Sequence, residues 1–281
     1  MKKKEQERGG LRIINYTINL HSIFTTVKFE LRSQWKKCII LSGATMAFTI
    51  VFSLVYPYHF RAVKFYEDYL GTYPFFIVFL ACFFFSNIIS MEFNKKTGYI
   101  MFTKINKLHL TLGKFLANVM LIQPLIFLYY LILIIFSMNI YGIVIPEVLL
   151  SFALSILYTI SLSGVITFFS SFMPSGNMVT IAIILLYLIL FPVGENILTS
   201  MNQELEPLFS LFYIAKIIPY SIPGILPEGQ RWNWVYYAGE ELPPVKIWLT
   251  PTVEMSILIM VIYLATSILA TYFILKRKQL K

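Results

Sequence analysis

Ser90–Val119, SMEFNKKTGYIMFTKINKLHLTLGKFLANV, is a basic, partly amphipathic segment set between two runs of residues too apolar to live in water. Of the 281 residues, 58% are hydrophobic and 13% charged, with a mean hydropathy of +0.72, whereas a soluble domain carries about 25% charged residues. A chain of this composition belongs in a membrane, and the segment is then the largest piece left on the cytoplasmic face. A bilayer core about 30 Å thick takes about 20 apolar residues per helix. Six stretches meet or approach that length: Cys38–Tyr56, Tyr73–Ser90, Phe115–Met138, Val148–Phe172, Val179–Val193 and Met255–Leu275. The fifth is short unless Asn177–Met178 or Gly194 extend it. Barrel strands alternate apolar and polar residues, and these runs are apolar all round. The expected fold class is an all-α integral membrane protein with six transmembrane helices.

The net charge of +9 is distributed unevenly. Eighteen of the 23 Lys and Arg residues lie in the N-terminal arm, in the 90–114 loop or at the C-terminus, and five lie elsewhere. Cytoplasmic loops retain the Lys and Arg excess, so both termini and the 90–114 loop are expected in the cytoplasm. The basic balance is topological, and nucleic acid is not an expected partner. Cys38 and Cys82 fall inside spans as small apolar packing residues, and no disulfide framework is implied. The N-terminus MKKKEQERGG lacks the apolar core and cleavage site of a secretory signal, so the first span is expected to serve as the insertion signal.

From Thr17 to Trp35, Leu20, Ile23, Phe24, Val27, Leu31 and Trp35 recur at three- and four-residue spacing, opposite His21, Thr25, Lys28 and Arg32. Such a cationic amphipathic helix, directly before a span, is expected in the plane of the cytoplasmic interface with Phe24, Val27, Leu31 and Trp35 toward the acyl chains. Pro57–Thr72 reads as a short external loop. The second span turns polar at Ser86, Asn87 and Ser90. The third carries Asn118 and, at mid-membrane, Gln123 with Pro124, where a kink is expected. Asn87, Asn118 and Gln123 are candidates for a substrate path, set against the commoner role of such residues in interhelical hydrogen bonds. In the fourth span Ser151, Ser155, Thr159, Ser161 and Ser163 read as small-residue helix packing.

After Phe191 the chain is expected outside for about sixty residues, broken by prolines, with short re-entrant or interfacial helices over Leu208–Leu226 and an aromatic belt at RWNWVYY. Glu254, close to Pro251, reads as a solvated helix-end carboxylate or an ion ligand. No other carboxylate is expected inside a span. The three histidines lie apart, with no metal-ligand spacing, and Gly113-Lys114 lacks the remaining residues of a phosphate-binding loop. An enzyme is not expected, nor a metal.

An in-plane helix, six spans, a long first cytoplasmic loop with Glu92, Gly98, Thr103-Lys104-Ile105-Asn106-Lys107 and Gly113-Lys114, and a large external loop before the last span together resemble the permease subunits of ATP-binding-cassette type-2 exporters. Lys104 stands where that family often has proline, and Lys107 where it often has arginine. The resemblance implies an arm and in-plane helix over 1–37 and a six-span domain over 38–275. Within that domain it implies a coupling loop at 91–114 and an external loop at 192–251, followed by a basic tail over 276–281. It further implies a transmembrane permease in a bacterial cell membrane, paired with itself or a similar permease. A separate cytoplasmic ATPase would hold ATP and Mg, since this chain carries no nucleotide site. Glu92, Lys95, Lys96, Gly98, Tyr99, Phe102, Lys104 and Lys107 would meet that ATPase, and a hydrophobic or amphipathic peptide, lipid or drug would leave along the dimer interface. The competing class is a membrane sensor or immunity protein without transport, binding a peptide through its external loop.

Overall fold

The computed structural model describes residues 20–55, 62–90, 107–227, 229–235 and 244–279. Among the described residues are ten α-helices, one π-helical turn and one two-stranded hairpin. In chain order they are α1 (Leu20–Val55), α2 (Ala62–Gly71), α3 (Tyr73–Phe85), α4 (Lys107–Tyr141), α5 (Val148–Phe172), α6 (Gly176–Leu185), a π-turn (Leu186–Leu190), α7 (Phe191–Met201), α8 (Leu211–Ala215), α9 (Ile217–Tyr220), β1 (Trp232–Val235), β2 (Val245–Trp248) and α10 (Val253–Gln279). Six helical stretches are long and apolar enough to cross a membrane: Leu20–Phe52, Ala62–Phe85, His109–Tyr141, Val148–Phe172, Gly176–Met201 and Val253–Arg277. The protein is mostly helical, with six helical stretches that could span a membrane.

The side-chain contacts settle the direction of each helix. Ser22 meets His109, Gln34 donates to Asn118 at 3.2 Å and the Cys38 thiol approaches the Leu121 carbonyl, so α1 and α4 run parallel. Asn118 donates to the Phe84 carbonyl while Thr72 meets Tyr129, so α3 runs against α4. Tyr73 bonds Thr159 and the Ser90 amide bonds Ser170, so α5 runs with α3. Asn87 lies on Gly176 and Phe75 packs on Tyr187, so α6 runs against α3. Ser161 donates to the Met260 carbonyl and Leu264 lies over Gly164, so α10 runs with α5.

This up-and-down order gathers the starts of α1, α4 and α6 and the ends of α3, α5 and α10 at one end of the bundle. Lys28, Arg32, Lys36, Lys37, Lys114, Lys276 and Arg277 belong to that basic end. At the opposite end each described Lys or Arg sits beside a carboxylate: Lys64 by Glu67 and Asp68, Lys216 by Glu195, Arg231 by Glu206 and Lys246 by Glu204.

Several boundaries differ from the sequence expectation. Residues 20–55 form one helix, with no break between the amphipathic stretch and the first span. Nothing between Leu20 and Val55 breaks a helix, and Lys36-Lys37 are good helix formers. At 1.5 Å per residue this helix is about 54 Å long, some 24 Å more than a bilayer core spans. Its basic half packs on the first turns of α4 through Ile23, Val27 and Ala117, with Leu31 alongside. The contact is close because residue 113 is glycine: a Cβ there would stand 2.7 Å from Thr26 Cβ.

Helix α4 begins at Lys107, so 107–114, expected as loop, is helical. Pro57–Thr72, also expected as loop, holds α2 from Ala62 onward. The Lys64, Glu67 and Asp68 pairs at i,i+3 and i,i+4 suit a helix. The fifth span, expected over Val179–Val193, runs from Gly176 to Met201 through the π-turn, at whose end the Phe191 N–H donates five residues back to the Leu186 carbonyl. Pro192, lacking an N–H, sits just after this turn. The segment between α9 and α10 contains the antiparallel hairpin β1–β2, with Trp232 paired to Trp248 and Val235 to Val245, so RWNWVYY begins as a strand.

Candidate functional site

Bundles that handle small molecules do so in clefts between helices. One such cleft, of about 510 Å³, lies between the basic-end half of α3 with its following turn and the first turns of α6, lined by Phe79, Cys82, Phe83, Ser86, Asn87, Asn177, Thr180 and Ile181. Its chemistry is graded. Phe79, Phe83 and Ile181 supply apolar wall, while Ser86, Asn87, Asn177 and Thr180 bring neutral donors and acceptors.

Two local features build it. After Phe85 the chain leaves the α-helix for a turn over 86–89, and the Ile89 and Ser90 amides donate to Ser170 Oγ on α5, at 3.2 and 3.3 Å. That anchor fixes the level of Asn87. On the other side, Ser175 caps α6 by accepting from the Met178 amide. Gly176 then lets Asn87 approach so closely that a Cβ at 176 would fall 1.9 Å from Asn87 Oδ1. No charged side chain lines the cleft, which suits an uncharged or weakly polar guest.

The sequence candidates part company here. Asn87 lines the cleft. Asn118 does not: it is fully buried, donates to the Phe84 carbonyl at 2.8 Å and accepts from Gln34, which also bonds Glu30. Its hydrogen bonds tie α4 to α3 and α1. Gln123 lines a different groove, between α4 and α5. Glu254 is exposed in the first turn of α10, where a carboxylate meets the positive helix end. Glu92, Lys95, Lys96, Gly98, Tyr99, Phe102 and Lys104 lie outside the described residues, and Lys107 opens α4. Of the amphipathic stretch, Val27 is buried against α4 and Leu31 half-buried, while Phe24 and Trp35 are exposed.

Sequence reasoning missed a layer of buried hydroxyls. Tyr73 bonds Thr159 at 2.8 Å and the Ser155 carbonyl at 3.2 Å. Tyr130 bonds Ser151 and Ser155, and Ser151 in turn donates to the Ile218 carbonyl of α9. Tyr129 bonds the Tyr69 carbonyl, and Tyr158 donates to Tyr187 of the π-turn at 3.0 Å. The serines expected only to let helices approach therefore join α3 and α4 to α5, and Ser151 joins α5 to α9. A buried hydroxyl left without a partner costs about 1–3 kcal/mol, so the layer also holds the cleft helices in register.

The described residues at the end of the bundle opposite the basic one form a built cap. Lys246 is buried against the faces of Trp232 and Trp248, 5.0 and 4.7 Å from their centroids, and reaches Glu204 at 2.8 Å. Arg231 and Tyr213 share Glu206. Desolvation of Tyr213, followed by its bond to Glu206, pushes its phenol well above the usual range. Glu195, in the apolar helical stretch Gly176–Met201 where no carboxylate was expected, accepts from Ser210 at 2.5 Å and pairs with Lys216 at 3.5 Å. The extra turns added beyond Val193 brought it into the helix. No group of three or more His, Cys, Asp or Glu able to hold a metal occurs among the described residues.

No protein-family model matches this sequence, and no curated protein does.

Proposed function

We propose that this chain is the permease subunit of an ATP-driven exporter that moves a hydrophobic or amphipathic molecule through the cleft between α3 and α6. The observation that carries the reading is the cleft itself: aromatic walls, four neutral polar side chains, no fixed charge, and a position at the basic end of the bundle. The basic end faces the cytoplasm, because Lys and Arg are retained on that side. A guest enters there from the inner leaflet or the cytoplasm, and the capped end faces outward.

The chain supplies no phosphate-binding loop, so the driving force comes from a partner ATPase carrying ATP and Mg. That partner grips the segment from Glu92 to Lys107, with Tyr99 and Phe102 as apolar anchors, next to the long α1–α4 pair. Two copies of the chain, or one copy and a similar permease, face each other across the cleft side. Support comes from the α1–α4 pair, which is longer than a bilayer needs and gives a push at residue 107 a stiff path into the bundle.

The test is ATP turnover. Complex isolated from native membranes is expected to hydrolyse ATP faster when hydrophobic guests are added, and Asn87→Leu with Phe83→Ala is expected to abolish that stimulation while leaving basal hydrolysis. Stimulation that survives both changes removes the cleft from the path. A chain isolated with no ATPase, but with a peptide held on its outer cap, would place it among non-transporting sensors or immunity proteins.

A further inference from the structure

A second groove, about 640 Å³ in volume, runs along the outside of the bundle between α4 and α5, lined by Val119, Met120, Gln123, Pro124, Phe127, Phe152, Ile156 and Ile160. It is separate from the α3–α6 cleft. Seven of these eight side chains are apolar; the eighth is Gln123, whose amide nitrogen and oxygen are both shut away from solvent with no partner. Leaving a donor and an acceptor unsatisfied in hydrocarbon is costly, and water is not at hand there to repair it. Two further groups add to the deficit. Pro124 has no N–H, which removes the helical partner of the Met120 carbonyl. Ser163 Oγ on α5 is also buried without a partner. The register of Tyr130 on Ser151 and Ser155, and of Phe127 on Phe152, brings Ser163 within about one helical turn of the level of Gln123.

We propose that this groove binds an uncharged, hydroxyl-bearing lipid, with the chain along the apolar wall and the Gln123 side chain turning from its closed, unpartnered position so that its amide meets the hydroxyl. Three features select that occupant. Met120 and Phe127 are exposed on the flank, so the groove opens to the acyl chains and its guest arrives from the bilayer. No charged side chain lines it, so an ionised headgroup would enter without a counter-charge. A primary amide offers both a donor and an acceptor, and a hydroxyl answers both, whereas a hydrocarbon answers neither. The volume is within the range of sites that enclose small molecules. The site stands whether or not the chain exports anything, since it uses neither the α3–α6 cleft nor the coupling segment.

Purified full-length protein in nanodiscs, doped with a monoacylglycerol carrying a diazirine in its acyl chain, provides the test, with the diazirine-bearing alkane of equal length as comparison. Illumination is expected to label peptides from residues 119–127 and 152–160 with the monoacylglycerol above all other helices. Gln123→Leu is expected to lower that labelling by about twofold to tenfold for each hydrogen bond lost, and to leave the alkane unaffected. Ile156→Trp, which fills the groove without touching the amide, is expected to remove labelling by both probes. Monoacylglycerol labelling that is unchanged in Gln123→Leu, or spread evenly over all lipid-facing helices, overturns the proposal. So does efficient disulfide formation between two copies of Gln123→Cys, which would make a second chain the occupant.

Discussion

Replacing Gly113 by alanine tests how tightly α1 is held on α4, and a second glycine supplies its own control. An alanine Cβ at 113 would lie 2.7 Å from Thr26 Cβ, 2.9 Å from Thr26 Cγ2 and 3.1 Å from the Ile23 carbonyl oxygen. Carbon atoms rest about 3.5–4.0 Å apart, so the helices must separate by roughly 1 Å, loosening Ile23 and Val27 against Ala117. Overpacking of this kind costs about 1–3 kcal/mol. Alanine returns about 1 kcal/mol because it loses less backbone entropy than glycine in a helix. Gly43, also inside α1, has no atom within 4 Å of the position its Cβ would take, so Gly43→Ala keeps the gain of about 1 kcal/mol without the clash. The helix-propensity terms cancel in the comparison, leaving Gly113→Ala less stable than Gly43→Ala by about 1–3 kcal/mol, or on the order of 2–12 °C in melting temperature. With Cys38 replaced in both variants, a thiol-reactive dye follows the transition, because Cys82 is buried until the bundle opens. A Gly113→Ala protein that melts at or above Gly43→Ala would refute the close α1–α4 contact.

Tyr130→Phe removes the hydroxyl shared by Ser151 and Ser155 and is expected to destabilise by about 1–3 kcal/mol in the same assay; a change under about 0.5 kcal/mol would mean the hydroxyl layer does not tie the helices. In the cap, the Tyr213 phenol is held neutral with its proton affinity raised. The stability it contributes is whole below the unfolded value near 10 and is lost as pH rises above it, so Trp232 and Trp248 fluorescence is expected to report loosening above about pH 10 that Tyr213→Phe abolishes. Single cysteines at Asn202 and Asn94, with Cys38 and Cys82 replaced, are expected to react with an impermeant thiol reagent from outside and only after lysis, respectively; labelling of both from one side would sink the topology.

Span positions were readable because apolar length is a local property. Val148–Phe172 agrees end to end, marked by Pro146 before it and Pro174-Ser175-Gly176 after it. Errors arose where a charge was taken for a boundary. Lys36-Lys37 sit within α1, and Lys64, Glu67 and Asp68 decorate α2. The alternation in Trp232–Val235 and Val245–Trp248 was present, but the two strands are ten residues apart and neither is a hairpin signal alone. Asn87 could be singled out as a polar residue in an apolar run; Asn177 and Thr180 could not, because they join the cleft only through α6 lying against α3. The tyrosine layer is likewise a property of packing: nothing near Tyr73 in sequence announces Thr159.

The exporter reading depends on an ATPase being present and gripped by the segment before α4. The most direct measurement is ATP turnover by protein isolated from native membranes in mild detergent, beside the same preparation carrying Tyr99→Ala and Phe102→Ala. The account predicts a co-purifying ATP-hydrolysing subunit in the unmodified sample. In the double variant it predicts loss of that subunit by at least tenfold, since anchor truncation costs about 2 kcal/mol or more, with membrane insertion unchanged. A fully inserted protein that carries no ATP-hydrolysing partner, or one whose partner is retained equally by the double variant, would contradict it.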